Sequence, residues 1–205
     1  MLVTFEGIEG AGKSTLIAAL ARILVAEGAP VLVTREPGGT PLGDSLRALF
    51  VDPAYRIDPV AEAMLLNAAR AQLVSDVIRP ALRDGVIVLC DRFFDATVAY
   101  QGFGRGLDVE SLLELCLLAT SRIAPDLTFL LDVPVEVSQG RVRARGTPDR
   151  LEREDGEFHE RVRRGYLVLA ERFSRIVVLD GTQPPEALAD AAFAALSARR
   201  ATHHR

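Results

Sequence analysis

Short apolar runs alternate with longer stretches of helical periodicity along this chain. Leu2 to Phe5 is a β-like run, and Pro30 to Thr34 is a second, with β-branched Val31 and Val33. Val86 to Cys90 and Leu127 to Val133 are continuous apolar runs, as expected for strands covered on both faces. Ile176 to Leu179 reads as a last strand. Between them, helical patterns cover Ser14 to Glu27, Asp58 to Asp84 with a break near Pro80, Ser111 to Ile123, Pro134 to Arg145, Phe158 to Phe173 and the Ala-rich Pro185 to Arg200. Pro134 suits a helix start. Strand alternating with helix predicts an α/β fold with a parallel sheet and right-handed crossovers. No repeat, linker or domain boundary is visible, and the tail Ala201 to Arg205 is expected to fray.

The chain has 205 residues, 49% of them hydrophobic, which is enough to bury one substantial core. A net charge of −4 gives no general electrostatic reason to bind nucleic acid or a membrane. Cys90 and Cys116 sit in apolar runs, which argues against a disulfide scaffold or a zinc site. There is no basic, signal-like start and no run long enough to span a bilayer, so the expected location is the cytoplasm. Lys and Arg total 24, yet Lys13 is the only lysine. An Arg-favouring codon preference accounts for the bias and makes the surviving lysine informative.

That lysine belongs to Gly7-Ile8-Glu9-Gly10-Ala11-Gly12-Lys13-Ser14, with Thr15 next, which matches G-x-x-x-x-G-K-[ST] between a strand and a helix. Glycines let the backbone N–H groups turn toward phosphate oxygens, and the following helix adds its positive end. Lys13 would reach the β- and γ-phosphates and the Ser14 hydroxyl would ligate Mg²⁺. The expected architecture is therefore a three-layer P-loop NTPase fold, one domain over 1–205. The guanine-reading N-K-x-D motif is impossible here, because Asn67 is the only asparagine and Lys13 the only lysine.

Cys90-Asp91-Arg92 closes the third strand, where a carboxylate beside the loop can organise Mg²⁺ or its waters. Thr34-Arg35-Glu36-Pro37-Gly38-Gly39-Thr40 reads as a loop after the second strand, with Arg47 at the start of a helical pattern beyond it. Arg70 lies in the long helix among Leu65, Leu66 and Ala69. Any one of these arginines would by default be a solvated surface residue. Several around one site suggest a second anion pocket. Arg141, Arg143, Arg145, Arg150 and Arg153, with Gly146 and Pro148 among them and five acidic residues interspersed, read either as a charge-balanced helix pair or as a mobile lid over about 141–155. A lid arginine would stabilise charge on a transferred phosphoryl group and exclude water.

These motifs together resemble thymidylate kinase of the bacterial type. The resemblance rests on the loop Gly7 to Ser14, on Thr34 to Thr40, on Asp91-Arg92 with Ala99-Tyr100-Gln101-Gly102, and on the lid around Arg141 to Arg150. It implies the reaction ATP + dTMP → ADP + dTDP with Mg²⁺. It further implies that Arg35, Arg47 and Arg92 hold the dTMP phosphate, and that Arg70 bonds the thymine edge near Thr97 and Gln101. Tyr100 would crowd the sugar 2′ position. Glu36 and Asp91 would organise the metal, Arg141 would stack on adenine, and Arg145 would be the catalytic arginine, since the loop carries none of its own. A homodimer is also implied; the apolar helices 58–84 and 111–123 could supply its interface, though core packing explains them equally well.

The chain departs from the family at Leu66, where phenylalanine is usual, and at Ala96, often serine. Leucine forgoes aromatic stacking on the base, worth about 1 kcal/mol. Rival readings are a kinase for another nucleotide, such as dUMP or a ribonucleotide, and an NTPase with no acceptor. Lys13→Ala is expected to abolish most turnover in a steady-state assay; wild-type activity would remove the loop from the mechanism.

Overall fold

The computed structural model describes residues 1–146 and 149–203. Pro148 of the arginine-rich segment, and His204 and Arg205 of the tail, lie outside the described residues. Five parallel strands form one sheet in the order β2-β3-β1-β4-β5. They are β1 (Leu2–Glu6), β2 (Val31–Arg35), β3 (Ile87–Asp91), β4 (Leu127–Asp132) and β5 (Ile176–Asp180). The helices are α1 (Lys13–Ala26), α2 (Pro41–Val51), α3 (Pro59–Leu73), α4 (Arg79–Arg83), α5 (Phe94–Thr97), α6 (Val109–Ala119), α7 (Val135–Arg145), α8 (Gly156–Arg172) and α9 (Pro185–His203).

Side chains alternate across the sheet, and both faces are covered. Leu2, Val88 and Cys90 pack with Leu73, Val74 and Ile78 beyond one face. Val3, Phe5 and Leu89 pack with Leu16, Ile17 and Leu20 of α1 beyond the other. This is the three-layer arrangement that the strand–helix alternation predicts. Among the described residues no helix is long and apolar enough to cross a membrane.

Several boundaries differ from the sequence reading. Strand β2 ends on Arg35, so Thr34 and Arg35 belong to a strand rather than a loop. The cause is pairing: Arg35 aligns with Asp91, and Glu36 N donates to Asp91 O at 2.9 Å. Arg47 stands well inside α2, which starts at Pro41 with Thr40 as its cap, its hydroxyl accepting from Gly43 N at 3.0 Å. The long helix is interrupted earlier than Pro80, by a π-helical turn at Val74–Ile78. Pro80 then falls in the first turn of α4, where its missing N–H does no harm. Helix α6 stops at Ala119 because Ser121 and Arg122 adopt left-handed backbone angles. At the other end of the chain, Ala201 to His203 continue α9 instead of fraying.

Helix α5 and the π-helical turn Val98–Gly104 that follows it have no counterpart in the sequence reading. Gly102 and Gly104 look like breakers, yet they serve packing. A Cβ on Gly104 would lie 2.7 Å from Phe158 Cε2. Opposite, a Cβ on Gly165 of α8 would lie 2.6 Å from Phe103 Cγ. Glycine inside a helix is worse than alanine by about 1 kcal/mol, but overpacking costs about 1–3 kcal/mol. Gly165→Ala is therefore expected to lower the midpoint of denaturant unfolding. An unchanged or higher midpoint contradicts the packing argument.

Candidate active site

Strand β1 delivers the phosphate-binding loop at the carboxyl edge of the sheet. The loop is pressed between β4 and α7: a Cβ on Gly7 (φ +133°) would sit 2.5 Å from Leu131 O, and one on Gly10 (φ +67°) 2.9 Å from Ser138 O. Ser138 Oγ donates to Glu9 O at 2.6 Å, and Arg141 donates to Gly10 O at 3.0 Å and Gly181 O at 3.2 Å. Helix α7 thus clamps the loop. Lys13 Nζ donates to Gly7 O and Ile8 O, both at 3.1 Å, and Ser14 Oγ donates to Asp91 Oδ2 at 3.0 Å. Burial, with the like charge of Arg92, pulls the Lys13 ammonium down to about 8, against the pull of Asp91, Glu9 and Glu6.

The sheet register sets Phe5 beside Asp91 and Asp91 beside Arg35, so the next residue, Arg92, emerges next to the loop. Arg92 takes φ +69°, a left-handed angle that costs a non-glycine residue about 1–3 kcal/mol. The turn is held by Arg92 N donating to Phe5 O at 3.0 Å. Its guanidinium donates to Glu9 Oε1 at 2.9 Å, Tyr166 OH at 3.0 Å and Tyr100 OH at 3.1 Å. Tyr100 OH in turn donates to Glu9 at 2.7 Å. Burial pushes the Glu9 carboxyl up, but Arg92, Lys13 and Tyr100 outweigh it and hold it below the usual carboxylate range. Beneath them, fully buried Glu6 accepts from Phe93 N at 2.7 Å and Tyr166 OH at 2.9 Å. Burial and the nearby Asp95 raise it to about 8.

Arg47 donates to Pro37 O at 3.2 Å, and its pKa is lowered by burial and then by the charge of Arg35. Arg92 lowers it too, so three guanidinium groups feel one another across the same space. Arg35 is well exposed and meets Asp44 only at 3.5 Å.

Arg70 is almost fully buried. It donates through Nε to Glu36 Oε2 at 2.8 Å, to Asn67 Oδ1 at 2.8 Å, to Thr97 Oγ1 at 3.0 Å and to Phe93 O at 3.3 Å. Burial still outweighs Arg70 and pushes Glu36 up to about 7. The Oε1 of Glu36 has no hydrogen-bond partner.

The segment after α7 folds over the other side. Arg145 pairs with Glu152, which also accepts from Asp149 N at 2.9 Å. Arg150 donates to Phe50 O at 2.8 Å, stacks 4.9 Å from the Phe50 ring and pairs with buried Glu62. These elements enclose a cleft of about 580 Å³.

The sequence agrees with this geometry when it is compared with known proteins. The family profile described as thymidylate kinase matches residues 5–192. The thymidylate kinase of Trichlorobacter lovleyi is 51% identical over 98% of this chain and 99% of its own length. That of Deinococcus radiodurans is 48% identical over 97% of each chain. The chain belongs to the thymidylate kinase family. A crystal structure of thymidylate kinase from Ehrlichia chaffeensis superposes with a TM-score of 0.79 at 34% identity, covering 96% of this chain and 98% of that one.

For a thymidylate kinase, most of the residues singled out in the sequence meet in one place. Glu9 to Thr15, Arg35, Glu36, Arg47, Leu66, Arg70, Asp91, Arg92, Thr97, Tyr100, Gln101, Arg141 and Arg145 all line the cleft. Gly7 and Ile8 do not, and the Ile8 side chain packs in the core. The Glu9 carboxylate, read as part of the triphosphate loop, turns instead toward Arg92 and Tyr100. Sequence reading missed as lining residues Phe50, Leu151 and Glu152 of the segment after α7, and the wall from Gly181 to Leu188. Gly181 follows β5 at the carboxyl edge, so the rule that ligands dock there could have found it.

The buried cation gives a pH prediction. Lys13 is charged below about pH 8 and loses its proton above it, while Glu6 gains negative charge over the same range. Both changes weaken anion binding as pH rises. The kcat/KM for the nucleotide is expected to fall through about pH 8, since that parameter reports the free enzyme. A flat profile from about pH 7 to 10 contradicts the assigned Lys13 environment.

Proposed function

We propose that this thymidylate kinase chain transfers the γ-phosphoryl group of ATP to dTMP, giving dTDP and ADP with Mg²⁺, in the supply of dTTP. The observation that carries the reading is the convergence of Arg35, Arg47 and Arg92 beside a complete phosphate loop, since an NTPase without an acceptor needs no second anion pocket.

The loop N–H groups and Lys13 hold the donor phosphates, with Lys13 exchanging its carbonyl partners Gly7 O and Ile8 O for phosphate oxygens. Arg35, Arg47 and Arg92 hold the dTMP phosphate in line with the donor. Leu66, Thr97, Tyr100 and Gln101 form the side of the cleft that takes the nucleoside, with Arg70 behind them. Arg141, beside Gly181, faces the adenine side.

The donor set fits Mg²⁺. Ser14 Oγ and Asp91 Oδ2 lie together, the Glu36 Oε1 lacks a partner, and among the described residues no cluster of acidic, His or Cys side chains could hold a metal unaided. Such a site suits an ion that brings waters and substrate phosphates as its other ligands. When bound, it would neutralise charge on the β- and γ-phosphates. Arg145, exposed and held by Glu152, is free to swing onto the transferred group, and the segment 141–155 would act as the lid of a single domain. We also infer a cytoplasmic homodimer. Support for the dimer comes from Val60 and Met64 of α3 and Leu118 of α6, which are exposed at 48%, 58% and 78%.

Two measurements test the reading. ADP formation from ATP is expected to require dTMP, and kcat/KM should rank dTMP above dUMP, UMP and CMP. ADP released at the same rate without dTMP overturns the kinase reading. Arg145→Ala should lower kcat at least about 1,000-fold, as for other supplied arginines, with KM for ATP nearly unchanged. Wild-type turnover in that variant removes Arg145 from the chemistry.

A further inference from the structure

Glu62 is fully buried in α3, one turn before Leu66, and does not itself line the cleft. Its carboxylate gathers donors from three directions. Oε2 accepts from Gln101 Nε2 at 3.0 Å and from Arg105 Nε at 3.3 Å. Oε1 accepts from Arg105 at 3.2 Å and from Arg150. Gln101 is buried and borders the cleft, and its Oε1 has no partner.

Chemistry fixes the orientation of this amide. A carboxylate facing two guanidinium groups only accepts hydrogen bonds, so the NH₂ of Gln101 must face Glu62. Turned round, the amide would set its oxygen against a carboxylate oxygen. The oxygen is thereby left without a partner, on a residue that borders the cleft. One turn earlier, Thr97 Oγ1 accepts from Arg70 and keeps its own proton to donate. An acceptor beside a donor matches the N3–H and O4 of an imide base. It mismatches cytosine, whose N3 accepts and whose N4 donates.

We propose that Glu62 is a positioning residue for base selection, locking the Gln101 amide so that the cleft accepts thymine or uracil and rejects cytosine. The inference rests on the acceptor site described above. An unsatisfied buried group is what makes such mismatches strongly discriminating.

The test is Glu62→Gln. The substituted side chain keeps one oxygen, which the two arginines claim, and turns its NH₂ toward Gln101. The Gln101 amide is then expected to reverse and present its own NH₂ to the base. Assayed with dTMP and dCMP, the ratio of kcat/KM values should fall at least tenfold from wild type, mainly through a higher KM for dTMP. A ratio within threefold of wild type in the folded variant overturns the proposal. The wild-type protein gives a second, independent readout. With dTMP bound, the side-chain NH₂ resonances of Gln101 should show NOEs to the Glu62 methylene protons. An NH₂ that shows its strongest NOEs to the base imino proton and none to the Glu62 methylene protons overturns the proposal even if the variant does not fold. Wild-type enzyme that fails to phosphorylate dTMP removes the acceptor site and this inference together, whereas a discriminating Glu62→Gln enzyme removes only the role of Glu62.

Discussion

Arginines that line one cleft repel one another, and the site is organised around relieving that repulsion. Each cation has its own acceptor: Asp44 for Arg35, the Pro37 carbonyl for Arg47, Glu36 for Arg70, Glu9 for Arg92 and Glu152 for Arg145. The pairs differ in depth, and depth sorts their roles. An exposed pair such as Arg35 with Asp44 contributes about 0–1 kcal/mol, so a phosphate can displace the carboxylate with little loss. Breaking a buried pair such as Arg70 with Glu36 costs about 3–5 kcal/mol, so that guanidinium stays in place as a wall. Arg92 lies between these limits, held by two tyrosines as well as Glu9. The exposed pair therefore sits at the position proposed for a phosphate, and the buried pair at the position proposed for the base.

The parallel sheet makes this arrangement possible with few residues. Strands β2, β3 and β1 end in register, and each hands its last residues to the same cleft. Arg35 and Glu36 leave β2, Asp91 and Arg92 leave β3, and the phosphate loop leaves β1. The strained angle at Arg92 is the local consequence. The chain must turn at once to aim that side chain at Glu9 rather than along the strand, and the network of Glu9, Tyr100 and Tyr166 offsets the strain.

Much of this was legible in the sequence, because the phosphate chemistry depends on contiguous motifs. The loop, the Asp91-Arg92 strand end and the Arg35-Glu36 pair are each read from a few neighbouring residues, and the structure brings them together. What the sequence hid depends on distant partners. Arg70 was read beside the base, but its bonds to Glu36, Thr97 and Phe93 come from residues far away in the chain and could not be read from its neighbours. Glu62 carried no signal among the helical residues around it, and only the fold shows it buried under Arg105 and Arg150. The turn Val98–Gly104 was masked by glycines whose role is close packing, Gly104 on Phe158 and Gly102 on Val109 and Leu112. The pairing of Arg150 could not be read from its neighbours, because its acceptors on α2 and α3 are far away in the chain.

The central claim is that one cleft holds a triphosphate and a nucleoside monophosphate at once, with their phosphates in line. A bisubstrate ligand joining adenosine and thymidine through five phosphates addresses it directly by isothermal titration. One molecule is expected to bind per chain, more tightly than either nucleotide alone, since the second half binds at high effective concentration. It should be displaced by ATP and by dTMP. A ligand that binds no more tightly than ATP, or that dTMP cannot displace, contradicts the account.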